Sequence, residues 1–163
     1  MPLEVKDMHI ERYRKDAFTV IGKEGSSADG PGFVQRLWEE ANTHFSEISH
    51  LASRDKNGNI QGIWGIMSDH SRSFQPWEDD FSRGLYLAGV ECAGDAVPSE
   101  GWSKWSVPGF EYLRVECDRD TVFSEMISHM RHNGIPLVGA VQDFTCPVTG
   151  KNYMLFPVKK LDK

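Results

Sequence analysis

One order of predicted secondary structure occurs twice along the chain, and this duplication limits the fold more than any other feature of the sequence. Hydrophobic periodicity and turn residues predict a strand, a helix and two further strands in residues 15–92, and again in residues 93–160. The repeat is one of pattern, because few residues are identical between the halves. We therefore predict an α+β fold. Its duplicated strand-helix-strand-strand halves form one antiparallel sheet system, with two main helices and a central cavity.

The first half combines strand-like segments with one amphipathic helix. Its strands are predicted at residues 17–24, 60–67 and 84–92. The helix is predicted from Phe33 to about His50, because one helical stripe carries Val34, Leu37, Trp38, Ala41, Phe45 and Ile48. The last of the three strands puts Tyr86 on one face and Glu91 on the other. Both of its faces are largely apolar, which predicts a central position in the sheet.

The second half opens with a predicted loop and then repeats the order of elements. These are a loop at 93–108, a strand at 110–118, a helix at 119–133, and strands near 137–145 and 153–159. Asp118 or Asp120 is predicted to cap the helix at its N-terminus, and Gly134 to end it.

Charge and composition argue against several classes of protein. The net charge of −6 argues against nucleic acid as a direct partner, because phosphate binding needs a basic surface. The scattered cysteines (Cys92, Cys117 and Cys146) favour reduced thiols over a disulfide framework or a zinc site. The N-terminus has no apolar signal core, and no apolar run approaches the ~18 residues that span a membrane. We expect a soluble cytoplasmic protein with no membrane association, no cofactor and no metal.

Aromatic residues are candidates for the walls of a ligand site. Small-molecule sites combine apolar walls with a few polar groups, and five tryptophans are unusual for this length. Either these rings build the core, or they hold an organic ligand, including a cation by its attraction to the ring faces. The candidates are Trp38, Trp64, Tyr86, Trp102 and Tyr112. Trp38 lies on the apolar stripe of the first helix, whereas Trp102 lies in a predicted loop, where an exposed ring more often has a function.

Acidic residues on the predicted strands are candidates for the charge of such a site. A buried carboxylate such as Glu91 needs a partner. Either Glu91 faces a ligand as counter-charge or general acid/base, or it pairs with an Arg or Lys of a neighbouring strand. Glu116 shares a strand face with Tyr112 and Arg114, which is typical of a solvated face. No pairing of Ser, Cys or His identifies a nucleophile, so we predict no catalytic residue.

Several segments taken in order carry a family resemblance. They are Phe18–Gly22, Phe33–Trp38, Trp64–Ser68, Tyr86–Cys92, Pro98–Trp102, Ser106–Gly109 and Tyr153–Val158. Together they resemble the GyrI-like, or AraC-type effector-binding, domain family, over roughly residues 15–160. The resemblance implies a duplicated strand-helix-strand-strand fold with a central ligand cavity. It also implies binding of hydrophobic, often cationic, compounds against aromatic rings and a buried glutamate.

This chain departs from the family at the late glutamate, just before the last strand. The region reads Asp143-Phe144-Thr145-Cys146-Pro147, so either Asp143 substitutes for the glutamate or the acid is absent. No helix-turn-helix segment precedes residue 17, so the chain resembles a stand-alone member of the family.

Three functions are consistent with these residues. The first is a sensor or sequestering protein for a small hydrophobic, and often cationic, organic ligand. Its predicted ligand-binding residues are Glu91, Trp38, Tyr86, Trp102, Tyr112, Trp64, Glu116 and Asp143. The second is a hydrolase of strained or toxic small molecules that uses a pocket carboxylate. The third is a protein-interaction module of the gyrase-modulating kind, with a protein partner or a homodimer.

Overall fold

Eight strands and three helices make up the computed structural model, which describes residues 9–161. The strands are β1 (Ile10–Lys15), β2 (Phe18–Ser26), β3 (Ile63–Ser68), β4 (Leu85–Cys92), β5 (Ser103–Val107), β6 (Phe110–Glu116), β7 (Gln142–Thr145) and β8 (Asn152–Lys160). The helices are α1 (Phe33–Thr43), a single irregular turn α2 (Glu78–Phe81), and α3 (Val122–His132). All strand pairs are antiparallel and form one sheet in the order β1-β6-β8-β7-β3-β4-β2-β5. The predicted α+β class with an antiparallel sheet is confirmed.

The strand order is symmetric about its centre. Exchanging β1 with β5, β2 with β6, β3 with β7 and β4 with β8 returns the same order read backwards. β3 and β7 pair at the centre, from Ile63 with Thr145 to Ile66 with Gln142. The edge strands are exchanged between the halves, because β1 pairs with β6 and β5 pairs with β2. The seam between the two halves therefore runs along β3 and β7.

Both main helices pack on the same face of the sheet, which we call the helical face. α1 packs against Tyr86 of β4, and α3 packs against Leu113 of β6. Met67 of β3 contacts both of these clusters, which places it between the helices. On the opposite face, called the inner face, one cluster joins Leu87 of β4 to Tyr112 of β6. The inner face therefore draws its apolar residues from both halves.

The two edge strands were not predicted from the sequence. β1 precedes the first predicted strand, and β5 lies within the predicted loop at 93–108. In β5 only Trp105 and Val107 are buried, since the other three residues are Ser or Lys. An edge strand has one neighbour and few apolar positions, so its hydrophobic pattern is too short to identify it.

The helix ends also differ from the prediction. α1 ends at Thr43 rather than near His50, and the chain continues in two 3₁₀ turns that still bury Ile48. A 3₁₀ turn keeps residues three apart on one side, so an apolar stripe does not distinguish it from an α-helix. Thr121, not Asp118 or Asp120, occupies the N-cap position of α3. No helix in residues 9–161 is long and apolar enough to cross a membrane.

Candidate functional site

Three of the predicted site residues meet on the helical face, at the seam between the halves. The Trp38 Nε1–H group of α1 donates a hydrogen bond to the Tyr86 hydroxyl oxygen at 3.1 Å. The Tyr86 hydroxyl, on β4, donates in turn to Oδ2 of Asp143 on β7 at 3.3 Å. Tyr86 is buried, with 2 % of its surface exposed. A chain of two hydrogen bonds thus links the first helix to the seam of the sheet.

Gly65 of β3 makes room for this contact. It pairs with Ala88 of β4 on one side and with Asp143 of β7 on the other. A Cβ atom at this position would stand 1.9 Å from the Tyr86 hydroxyl oxygen. The Tyr86 side chain therefore crosses β3 at a residue that has no side chain of its own. A glycine here is required for the phenol to reach Asp143, as is typical of strand glycines at close approaches.

The Asp143 carboxylate carries a charge with no cationic partner in the described part of the chain. Burial raises the pKa of Asp143 to about 6, while the hydrogen bond from Tyr86 acts to lower it. Within residues 9–161, no cationic side chain contributes to that pKa. The pKa of Tyr86 is raised well above its usual range, first by burial and then by the charge of Asp143, so the phenol remains a donor. At neutral pH the site therefore holds a mostly ionised carboxylate.

A cavity of about 210 Å³, which we call the first cavity, lies beside this carboxylate. Its lining is apolar and includes Met67, Trp77, Phe81, Phe123, Val141 and Met154. Asp143 pairs with Met154 across the β7–β8 ladder. Met154 lines the cavity and packs in the same cluster as Val141, which also lines it. Asp143 is therefore a direct neighbour of a lining residue without being in the lining itself.

The first cavity is roofed by the segment between β3 and β4, which contacts both helices. The ring of Trp77 stacks on Phe33 of α1 with centroids 6.1 Å apart, and its Nε1–H donates to the Leu85 carbonyl at 2.9 Å. Phe81 meets Phe123 of α3 edge-on, with centroids 5.1 Å apart. Left-handed backbone, which is uncommon outside glycine, occurs in this segment at Arg72, Phe74, Asp79, Asp80 and Phe81. The roof is thus held by aromatic contacts rather than by regular structure.

A second cavity, of about 160 Å³, lies on the other side of Tyr86. Its lining includes Trp38, Ala41, Phe45, Ile48, Ile63 and Trp102. Ile63 lines the second cavity and Met67 the first, and each lies two residues from Gly65 on the same strand face. The Tyr86 hydroxyl sits directly over Gly65, and so lies between these two positions along β3.

Trp102 lines the second cavity and is not the exposed loop residue that the sequence indicated. It is 6 % exposed, and its Nε1–H donates to Oε1 of Glu47 at 2.8 Å. The Lys23 ammonium lies 4.4 Å from the centre of its ring. Trp102 is buried because it leads directly into β5, which the sequence did not reveal.

Glu91 and Trp64 lie together on the inner face, apart from the first cavity. The Trp64 Nε1–H donates to Oε1 of Glu91 at 3.1 Å, and the Lys15 ammonium lies 3.3 Å from Oε2. The Lys15 and Glu91 side chains are only 20 % and 15 % exposed. Glu91 thus pairs with a lysine, as one of the two alternatives had it, but this lysine lies on β1 and not on a strand next to β4.

Tyr112 and Glu116 also lie away from the first cavity. Tyr112 is fully buried and packs against Phe110 with ring centroids 5.7 Å apart. Among the described residues its hydroxyl group has no hydrogen-bond partner. Glu116 ends β6 with its side chain 42 % exposed and Lys151 at 3.9 Å. The Arg114 guanidinium donates to the Glu11 carboxylate at 2.7 Å. It does not pair with Glu116, because residues two apart on one strand stand ~7 Å apart.

Other residues of the site were missed by sequence reasoning. They are Gly65, Met67, Trp77, Phe81, Phe123 and Met154. A glycine between large residues in a predicted strand indicates a close approach of another group, so Gly65 carried a usable signal. The apolar residues carried none, because Met67 and Phe123 have the pattern of ordinary core positions.

Comparisons with known proteins concern the fold. No family model matches the chain, and no curated protein matches it. Among solved structures, the chain is similar to SAV2435 bound to tetraphenylphosphonium, with a TM-score of 0.63, 13 % identity, and coverage of 93 % of this chain and 94 % of that one. It is similar to the EcmrR C-terminal domain, with a TM-score of 0.63, 11 % identity and coverage of 94 % and 99 %. It is also similar to an integron cassette protein from Vibrio cholerae, with a TM-score of 0.56, 14 % identity, and coverage of 92 % of this chain and 95 % of that one. These likenesses show a shared fold.

Proposed function

We propose that this chain is an effector-binding domain of the GyrI-like kind, which holds a small hydrophobic cation in the first cavity. The Asp143 carboxylate is the counter-charge of that cation. One observation carries the proposal: a carboxylate that burial makes unfavourable to ionise, with no cationic partner in residues 9–161, is paired with Met154 of an apolar cavity.

The chemistry of the cavity selects the ligand by charge and by hydration. Removing a carboxylate from water costs free energy unless an opposite charge compensates it. An organic cation compensates that cost while its own apolar groups fill the cavity, whereas an anion adds to the cost. The rings of Trp77, Phe81 and Phe123 also attract a cation placed over their faces, by about 0.5–2 kcal/mol.

The shared fold supports this proposal by analogy. SAV2435 has the same fold, and its structure is bound to tetraphenylphosphonium, a hydrophobic cation. In this chain Asp143 takes the position expected of the late glutamate of the family. Tyr86 and Trp38 orient its carboxylate through the hydrogen-bond chain. Four other predicted residues do not line the first cavity: Glu91, Trp64, Tyr112 and Glu116.

A hydrolytic alternative rests on the same carboxylate. A group with a pKa of about 6 exchanges its proton readily near neutral pH, which suits a general acid or base. The two functions differ in their product, because a binder returns its ligand unchanged and a hydrolase does not. A protein-interaction module would instead keep its partner after the Asp143→Asn substitution.

The test is a fluorescence titration with three probes that share one benzyl ring: benzyltrimethylammonium, its neutral isostere neopentylbenzene, and benzylsulfonate. The cation should saturate the signal of the wild-type protein, reported by Trp77, and should bind at least about tenfold tighter than either of the others. Asp143→Asn should remove this preference, and Glu91→Gln, the matched control, should keep it. Equal binding of the cation and its neutral isostere would contradict the proposal, and consumption of the probe would favour the hydrolase.

A further inference from the structure

Among residues 9–161, no charged side chain lines the second cavity, and in this it is like the first. Its two tryptophans already use their polar groups, because Trp38 Nε1–H donates to Tyr86 and Trp102 Nε1–H donates to Glu47. Both rings therefore offer only carbon atoms to the cavity. Asn42, at the exposed rim, is the polar side chain in its lining. Any group that enters this cavity must be uncharged and apolar.

The size of the second cavity suits one ring or a short alkyl group. Apolar cavities of about 150 Å³ stay dry and accept molecules the size of benzene. An empty apolar cavity also costs stability in proportion to its volume, so filling it from a ligand is favourable. Ile48 closes the cavity from below α1 at 1 % exposure, while Trp38 and Phe45 are only half-buried.

Asp143 is in the lining of neither cavity, but its paired residues lie next to both, since Met154 lines the first and Gly65 lies between Met67 and Ile63 on β3. Its partner Met154 packs in one cluster with Val141 of the first cavity, and Gly65 is two residues from Ile63 of the second. The Tyr86 hydroxyl, which donates to Asp143, lies over Gly65 and so between Met67 and Ile63 along β3. A cationic centre that faces Asp143 is therefore within reach of both apolar spaces.

We infer that the second cavity is a subsite for an uncharged apolar arm of the ligand, whose cationic centre faces Asp143 and whose other arm fills the first cavity. This inference rests on the proposed function and specifies its ligand class: a cation with its charge in the middle and a ring-sized apolar group on each side. The cationic centre pairs with the carboxylate that Tyr86 orients, and its two arms extend along β3 to either side of the Tyr86 hydroxyl.

The experiment compares benzyltrimethylammonium with dibenzyldimethylammonium, which has the same charge and a second ring, by calorimetry on the full chain. The two-armed cation should bind at least about tenfold tighter to the wild-type protein, since it buries one more ring. Ala41, 6 % exposed, lines the second cavity from α1, so Ala41→Leu fills that cavity. This variant should lose the advantage of the second arm and keep its affinity for the one-armed cation. Val34→Leu, two turns earlier on α1 and lining neither cavity, should keep both affinities.

A second readout needs no filled-cavity variant. In nitrogen-edited spectra of the indole N–H groups, Trp77 reports on the first cavity and Trp102 on the second. Dibenzyldimethylammonium should shift both resonances, whereas benzyltrimethylammonium should shift that of Trp77 and leave that of Trp102.

The outcomes separate the two proposals. A Trp102 resonance that ignores the two-armed cation, or a folded Ala41→Leu variant that keeps the full advantage of the second arm, would overturn the subsite. If benzyltrimethylammonium still bound in that case, the proposed function would remain supported and only the subsite would be wrong. If neither cation bound or shifted the Trp77 resonance, the proposed function itself would fail.

Discussion

Replacing Asp143 by asparagine should stabilise the protein at neutral pH while removing its preference for cations. The pKa of Asp143 is about 6 in the folded protein, against an ordinary value of 3.8. The folded state therefore binds this proton more tightly than the unfolded state does. As pH rises from about 3 to about 7, ionisation reduces the free energy of unfolding by about 3 kcal/mol, and the loss then stays constant. Asparagine has no such charge and keeps an oxygen that accepts the Tyr86 hydrogen bond.

The assay is urea unfolding of both proteins at pH values from 4 to 8, followed by tryptophan fluorescence. Asp143→Asn should match the wild-type protein at pH 4 and exceed it by about 2–3 kcal/mol at pH 7 and above. Asp95→Asn, at an exposed position, is the matched control and should change stability by less than about 0.5 kcal/mol at every pH. A difference that does not vary with pH, or a variant that is less stable at pH 7, would refute this reasoning.

Three further substitutions test the surroundings of Asp143. Gly65→Ala places a Cβ atom 1.9 Å from the Tyr86 hydroxyl oxygen. It should therefore destabilise the protein by about 1–3 kcal/mol in urea unfolding and weaken cation binding. A variant with wild-type stability and wild-type cation affinity would contradict the close approach. Tyr86→Phe removes the hydrogen bond that lowers the pKa of Asp143. The pH at which cation binding is half-maximal should therefore rise, as measured by calorimetry from pH 5 to 8. A fall in that pH would contradict the role of Tyr86. Glu91→Gln leaves Lys15 poorly hydrated and without its ion-pair partner, so it should cost about 1–3 kcal/mol of stability and change cation affinity less than about twofold. A large loss of cation affinity in the Glu91→Gln variant would show that Glu91 contributes to ligand binding.

The sequence predicted the elements that have long apolar patterns. β4 is apolar on both faces and lies between β3 and β2, and the stripes of α1 and α3 identified the two main helices. The alternation in β4 also put Tyr86 and Glu91 on opposite faces, and the structure has them so. That alternation already implied that these two side chains do not line one cavity.

The partners of the charged residues were out of reach of sequence reasoning. Lys15, which neutralises Glu91, lies on β1, a short strand whose pattern did not reveal it. Asp143 drew attention through the family resemblance alone, because no periodic pattern distinguishes a carboxylate at a sheet seam from one at a surface. Its meeting with Tyr86 depends on the β3–β7 pairing and on Gly65, which are properties of the whole sheet.

The most direct test of the central claim is a carbon NMR titration of the Asp143 carboxyl group, with and without saturating benzyltrimethylammonium. The carboxylate proposed as the counter-charge of a bound cation should titrate near pH 6 in the free protein. Its pKa should fall by about one unit or more when the cation is bound, because a nearby positive charge favours the ionised form. A midpoint that the cation leaves unchanged would contradict the account, since Asp143 would then not face the ligand.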